Sequence, residues 1–190
     1  MALRAYKGDN VKGIVFTSLN DMIIEKFGIE TWDRLVTSLN LPSGGSYTAG
    51  GTYSDTEFSQ LIQGIAKMKN LQDSIFLESF GEYMFSILSN KYPIFLKKGM
   101  SLKEFLKSVN STIHVEVEKL YPDEILPSIT YEELASNQLI MIYRSHRKLC
   151  YFAIGLIKGA AKHFKKKITI NQTLCMHQKS DHCRLEISFE

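Results

Sequence analysis

Apolar positions recur at three-to-four-residue spacing through the first two thirds of the chain. Leu19, Met22, Ile23 and Ile24, then Trp32, Leu35, Val36 and Leu39, each mark one face of a helix. Leu41-Pro42-Ser43-Gly44-Gly45 breaks the pattern, and Tyr47 to Tyr53 reads as a glycine-rich loop. Ser54-Asp55-Thr56-Glu57 predicts a capping box, in which the serine and glutamate satisfy each other's free amides. The stripe Phe58, Leu61, Ile62, Ile65 and Met68 follows it. A longer helix is predicted from about 73 to 91, ended near Pro93. Ser101-Leu102-Lys103-Glu104 caps another, predicted to run to about 121, with the stripe Phe105, Leu106, Val109, Ile113, Val117 and Leu120.

After Pro122 the period changes. Residues 125–131 and 138–143 are strand candidates, and 150–164 predicts a helix apolar on much of its surface. Lys162, Lys165, Lys166 and Lys167 at its end suit the negative end of a helix dipole. Residues 166–174 and 182–189 alternate and predict a hairpin. The fold class is therefore α+β, a helical first part running without a linker into a mixed second part. The domain begins at Val11, so 11–190 reads as one domain, and residues 1–10 as a loosely held extension.

Composition narrows the function classes. With 44% hydrophobic and 23% charged residues the chain has a globular balance, which excludes a disordered protein. A net charge of +3, with no basic aromatic stripe, argues against nucleic acid. Three cysteines are too few and too odd a number for a disulfide-stapled secreted fold. The first twelve residues carry no apolar signal segment, and the most apolar stretch, 149–157, is half a membrane span. The expectation is a soluble, cytoplasmic protein of a reducing compartment, with no membrane insertion. Nothing reads as an enzyme: there is no phosphate loop, no nucleophile elbow, and Glu116 and Glu118 lack a base partner.

Three constellations carry candidate chemistry. On a strand, Tyr143, Ser145 and Arg147 share one face, a row of donors about 13 Å long at roughly 3.3 Å per residue. Such a row suits one or two carboxylates; its alternative is a solvated edge strand. His114 lies beside the apolar stripe, as a hydrogen-bonded core residue or as an imidazole held ready for a metal. Cys175 and Cys183 bracket a short loop, with Cys150 upstream, so a soft metal, a redox pair and unconnected buried thiols all remain open.

Together these residues resemble the H-NOX family, the haem nitric oxide/oxygen-binding sensor module, from Val11 to Glu190. The resemblance rests on Lys12-Gly13-Ile14-Val15-Phe16, on His114-x-x-Val117-x-Lys119-Leu120-Tyr121-Pro122 with Pro127 beyond, on Tyr143-x-Ser145-x-Arg147, and on Gly155-Leu156-Ile157-Lys158-Gly159. It implies a helical N-terminal subdomain packed on a C-terminal subdomain with an antiparallel sheet, and haem b between them. His114 would be the axial ligand to haem iron. Tyr143, Ser145 and Arg147 would bind the propionates, and Pro127 would press on the porphyrin. Val15, Leu19, Met84, Phe152 and Leu156 would line the pocket. Oxygen-binding relatives supply a distal tyrosine; the matching position here is Phe152, with Tyr151 about 100° away on the helix. The resemblance therefore implies a bacterial stand-alone sensor that binds nitric oxide and carbon monoxide and excludes oxygen. Its signal would be loss of the iron–histidine bond and haem relaxation, passed to a separate histidine kinase or cyclic-di-GMP enzyme. Cys150, Cys175 and Cys183 would match three ligands of a family zinc site. The fourth position aligns with Gln172, which departs from that pattern, leaving His177, His182 or Gln172 to complete the site. A zinc- or thiol-based redox sensor is the alternative function.

Overall fold

The computed structural model describes residues 10–122 and 125–190. The extension expected at 1–10 therefore lies outside the described residues, except Asn10. The chain divides into two compact units, 1–80 and 81–190, so the boundary falls at Phe80/Gly81 and not at Pro122.

The first unit is helical. Strand β1 (Asn10–Lys12) leads directly into α1 (Gly13–Phe27), followed by α2 (Ile29–Ser38), β2 (Thr52–Ser54) and α3 (Asp55–Met68). β1 and β2 pair antiparallel, Val11 opposite Tyr53, a pairing too short for any alternation to announce. Gly13 is required at their junction: its N–H bonds Gly51 O at 2.8 Å, and a Cβ there would lie 1.8 Å from Thr48 O. Phe16, Leu19, Ile23, Leu35, Phe58, Leu61, Ile65 and Phe80 fill the core. Each such side chain contributes about 1.5–3 kcal/mol by leaving water.

The capping box expected at Ser54 does not form. Ser54 accepts from Thr56 N–H, while Glu57 turns inward, 3% exposed, and takes other partners. Its Oε1 accepts from the Tyr47 hydroxyl at 2.7 Å, from Ser43 N–H at 3.4 Å and from the Ser43 hydroxyl. Those donors come from the loop, which outcompetes the local cap.

Helix α4 (Asp73–Lys91) runs across the boundary into the second unit. There α5 (Leu102–Ser108), α6 (Val115–Leu120), β3 (Ser128–Glu132), β4 (Gln138–Arg144), α7 (Cys150–His163), β5 (Ile168–Leu174) and β6 (Cys183–Phe189) follow. The strands form one antiparallel sheet in the order β3-β4-β6-β5. Leu139, Met141 and Tyr143 of β4 and Leu185 and Ile187 of β6 face one side, where they join Ile154, Ile157 and Ala160 of α7 in a single core. The Ser101–Glu104 capping box is present as expected. The helix behind it, however, is not continuous. Residues Val109–His114 form a π-helical turn between α5 and α6. The Tyr131 hydroxyl donates to Leu106 O, just before the widened turn. Leu120, expected in the apolar stripe, is 71% exposed.

Candidate functional site

His114 closes the π turn. One residue inserted into an α-helix turns everything after it by about 100°, so the wide turn sets which way this imidazole faces. The ring is half-buried, and its Nδ1 is buried with no hydrogen-bond partner in the structure. Burial lowers its pKa, opposed by the Glu118 carboxylate one turn on, so the ring is neutral near pH 7 with a nitrogen lone pair to give.

The expected extended row of Tyr143, Ser145 and Arg147 is not the arrangement found. β4 ends at Arg144, and 145–148 is a turn: Lys148 N–H donates to Ser145 O at 3.1 Å and Arg147 N–H to Ser145 Oγ at 3.3 Å. Lys148 takes φ 52° to close it. The turn gathers the three side chains more tightly than a strand would. Tyr143 is 3% exposed and hydrogen-bonded to Ser145, burial pushes its pKa up to about 12, and the Arg147 charge acts on it. The Nε of Arg147 is also buried. Ser128 pairs with Arg144, so half-buried Pro127 enters the sheet beside Ser145.

α4 and α7 cross at backbone contact. A Cβ on Gly81 would lie 2.3 Å from Phe152 O and 2.9 Å from Gly155 Cα, and one on Gly159 would lie 2.6 Å from Phe85 Cβ. Met84 is buried near this crossing, and Phe152 and Leu156 are half-buried one turn apart on α7. In the first unit, Leu19 is fully buried on α1 with half-buried Val15 one turn before it.

The three cysteine sulfurs lie within 4.8 Å of one another, with Cys150 and Cys175 4.0 Å apart, and all three are buried. The Gln172 side chain lies against Cys150 with its Nε2 buried and without a hydrogen-bond partner, the Tyr151 hydroxyl bonds Cys175, and Met176 N–H donates to Cys183 Sγ at 3.3 Å. His177 and His182 are engaged elsewhere: His177 Nε2 on Lys148 O at 2.8 Å, and His182 Nδ1 on Asp181 at 2.6 Å. The three thiols thus suit a soft metal. The fourth ligand of a closed zinc site is not completed by either histidine.

The profile of the haem-NO-binding family matches residues 12–172. The chain belongs to the haem-NO-binding family.

This haem-NO-binding domain is similar to solved H-NOX proteins. One from S. oneidensis, in the Fe(II)NO ligation state, is 33% identical, with 95% of this chain and 99% of that one covered and a TM-score of 0.88. One from K. algicida, Fe(II) and unliganded, is 34% identical over 95% and 97% of the two chains, with a TM-score of 0.85. A soluble guanylate cyclase of Caenorhabditis elegans, gcy-32, is 23% identical over 159 residues, 82% of this chain. The chain spans 23% of that relative's length.

A haem-binding domain must present an iron ligand and a grip for two carboxylates. The buried, unpartnered Nδ1 of His114 and the clustered phenol, hydroxyl and guanidinium at the end of β4 fit those two needs. Sequence spacing singled out these residues only as candidates, and the family resemblance supplied the roles expected of them. Neither pointed to the donors at the cysteine sulfurs, the Tyr151 hydroxyl and Met176 N–H, each of which directly follows a cysteine.

Proposed function

We propose that the domain is a haem-based gas sensor that binds nitric oxide and carbon monoxide at ferrous haem and excludes oxygen. The observation that carries this reading is the buried, unpartnered Nδ1 of a neutral His114 in a family whose members bind haem. When bound, haem b would supply a ferrous iron able to take a diatomic gas, with His114 as its protein ligand.

The rest falls to the chain. Arg147, Tyr143 and Ser145 hold the propionates and keep the porphyrin in register, and Pro127 presses on it. Phe152, Leu156 and Met84 offer only carbon and sulfur to the gas. Oxygen gains from a hydrogen-bond donor because it takes up negative charge on ferrous iron, whereas nitric oxide and carbon monoxide gain little. A hydrogen bond to a charged group contributes about 1.5–3 kcal/mol, so its absence selects against oxygen. Release of His114 would free the π turn to rearrange, and a separate protein would read that change. A histidine kinase or a cyclic-di-GMP enzyme is the kind of partner we infer.

Absorption spectroscopy tests this directly. Purified protein should show a Soret band that shifts with nitric oxide and with carbon monoxide, and should show no reversible shift with oxygen. A protein without a Soret band after haem reconstitution would overturn the reading.

A second reading is favoured by the clustered sulfurs of Cys150, Cys175 and Cys183, namely a zinc- or thiol-based redox regulator. Metal analysis of protein purified without chelator distinguishes the two uses of these thiols.

A further inference from the structure

The cysteine cluster has a feature that neither the haem reading nor a closed zinc site uses. Two of its three sulfurs have a donor from the chain, the Tyr151 hydroxyl at Cys175 and Met176 N–H at Cys183, while Gln172 lies against Cys150 with its Nε2 buried and without a hydrogen-bond partner. Donors aimed at sulfur stabilise thiolate, the form that binds metal. The arrangement therefore suits sulfurs whose charge is shared with a bound cation.

The number of ligands decides which cation. The side chain that lies against Cys150 from β5 is an amide, a poor metal ligand. The ligand group among the described residues is limited to three sulfurs. Structural zinc is almost always four-coordinate, so three thiolates leave it a ligand short. Copper(I) is softer, is favoured by thiolates and accepts three. A cation about 2.3 Å from each sulfur and in their plane sets the sulfurs about 4.0 Å apart. Cys150 and Cys175 stand at 4.0 Å.

We propose that Cys150, Cys175 and Cys183 form a three-coordinate thiolate site that selects copper(I) over zinc, with the Gln172 amide beside the sulfurs and not on the metal. On binding, three S–H protons leave for solvent, three Cu–S bonds form and copper stays monovalent, so no electron is transferred. Affinity therefore rises with pH. The Tyr151 hydroxyl and Met176 N–H spread the resulting negative charge.

The test uses the full chain under anaerobic conditions. Copper(I), added as its acetonitrile complex, is titrated against bicinchoninate, and zinc is titrated separately against a chromophoric chelator. The wild type should hold one copper(I) per chain and give up zinc readily. Gln172→His should raise zinc affinity by about tenfold or more by supplying a fourth ligand. Cys175→Ser should release copper(I), with circular dichroism reporting the fold of both variants. Zinc held as tightly by the wild type as by Gln172→His would overturn the proposal. So would copper(I) retention indifferent to Cys175→Ser. The Soret band is read on the same samples, so failure of the haem reading shows separately from failure of this one.

Discussion

Tyr151 stacks on His177, with ring centroids 5.5 Å apart and planes 21° from parallel, and its hydroxyl is hydrogen-bonded to Cys175. The tyrosine hydroxyl at the start of α7 is thus committed to the cysteine loop. The next residue, Phe152, has none to offer. On the proposed exclusion of oxygen by an apolar pocket, Phe152→Tyr should therefore confer oxygen binding. A new donor contributes about 1.5–3 kcal/mol toward a charged acceptor, roughly 10- to 150-fold in affinity. Spectra of the ferrous variant in air check this, and a spectrum still indifferent to oxygen would count against an apolar pocket as the basis of selectivity.

The turn at 145–148 implies an order among the propionate ligands. Arg147 offers a charged, forked donor, while Tyr143 offers one neutral hydroxyl, already shared with Ser145. Arg147→Ala should weaken haem retention by about 10- to 100-fold, and Tyr143→Phe by only about fivefold. Transfer of haem to apomyoglobin measures both. Equal effects would mean that the tyrosine carries as much of the grip as the arginine, and the order would fail.

What was legible in the sequence depended on the range of the interaction involved. Strands β4, β5 and β6 and helix α7 emerged within a residue or two, because their periods are set by a core face that each contributes directly. The Ser101–Glu104 cap was legible because both partners lie within one turn. Ser54 and Glu57 have the same spacing, yet Glu57 is claimed by Ser43 and Tyr47, ten or more residues away, and no local pattern records that. The π turn was illegible for a related reason. Its apolar stripe fits an α-helix, and the hydroxyl that occupies Leu106 O comes from Tyr131 on β3. Tyr143, Ser145 and Arg147 were identified as a donor group from an extended strand, whereas a turn at Lys148 assembles them.

Glu57 gives a stability prediction for the first unit. Its Oε1 is the common acceptor for Tyr47 and Ser43, and burial and that carboxylate together raise the Tyr47 pKa. Glu57→Ala would leave those half-buried donors without their shared acceptor and should cost about 1–3 kcal/mol. Glu57→Gln keeps an oxygen in place and should cost less than about 1.5 kcal/mol. Urea unfolding compares them, and equal losses would show that packing, not the shared acceptor, matters here.

The α4–α7 crossing predicts an intolerance to one methyl group. Gly81→Ala places a Cβ against the Phe152 carbonyl and the Gly155 backbone, neither of which can rotate away. Overpacking against backbone should cost about 1–3 kcal/mol and displace α7. Because Phe152 and Leu156 ride on α7, carbon monoxide rebinding after photolysis should change as well. Unchanged unfolding and unchanged rebinding would together show that the helices separate freely.

His114 makes the unit sensitive to acid. Its pKa lies below the ordinary 6.5 because burial resists the charged ring. Below 6.5 the unfolded chain binds a proton at this position that the folded chain does not, so stability falls as pH drops through that value. Above it, the two states are equally deprotonated and the contribution vanishes. The slope is bounded by one proton, about 1.4 kcal/mol per pH unit. Haem-free wild type should therefore lose more stability between pH 7.5 and 5 than haem-free His114→Asn, which has no proton to take up. The comparison is made by urea unfolding across that range. Parallel curves for the two proteins would mean that His114 reaches solvent freely, and the argument for a neutral imidazole waiting on iron would fail with it.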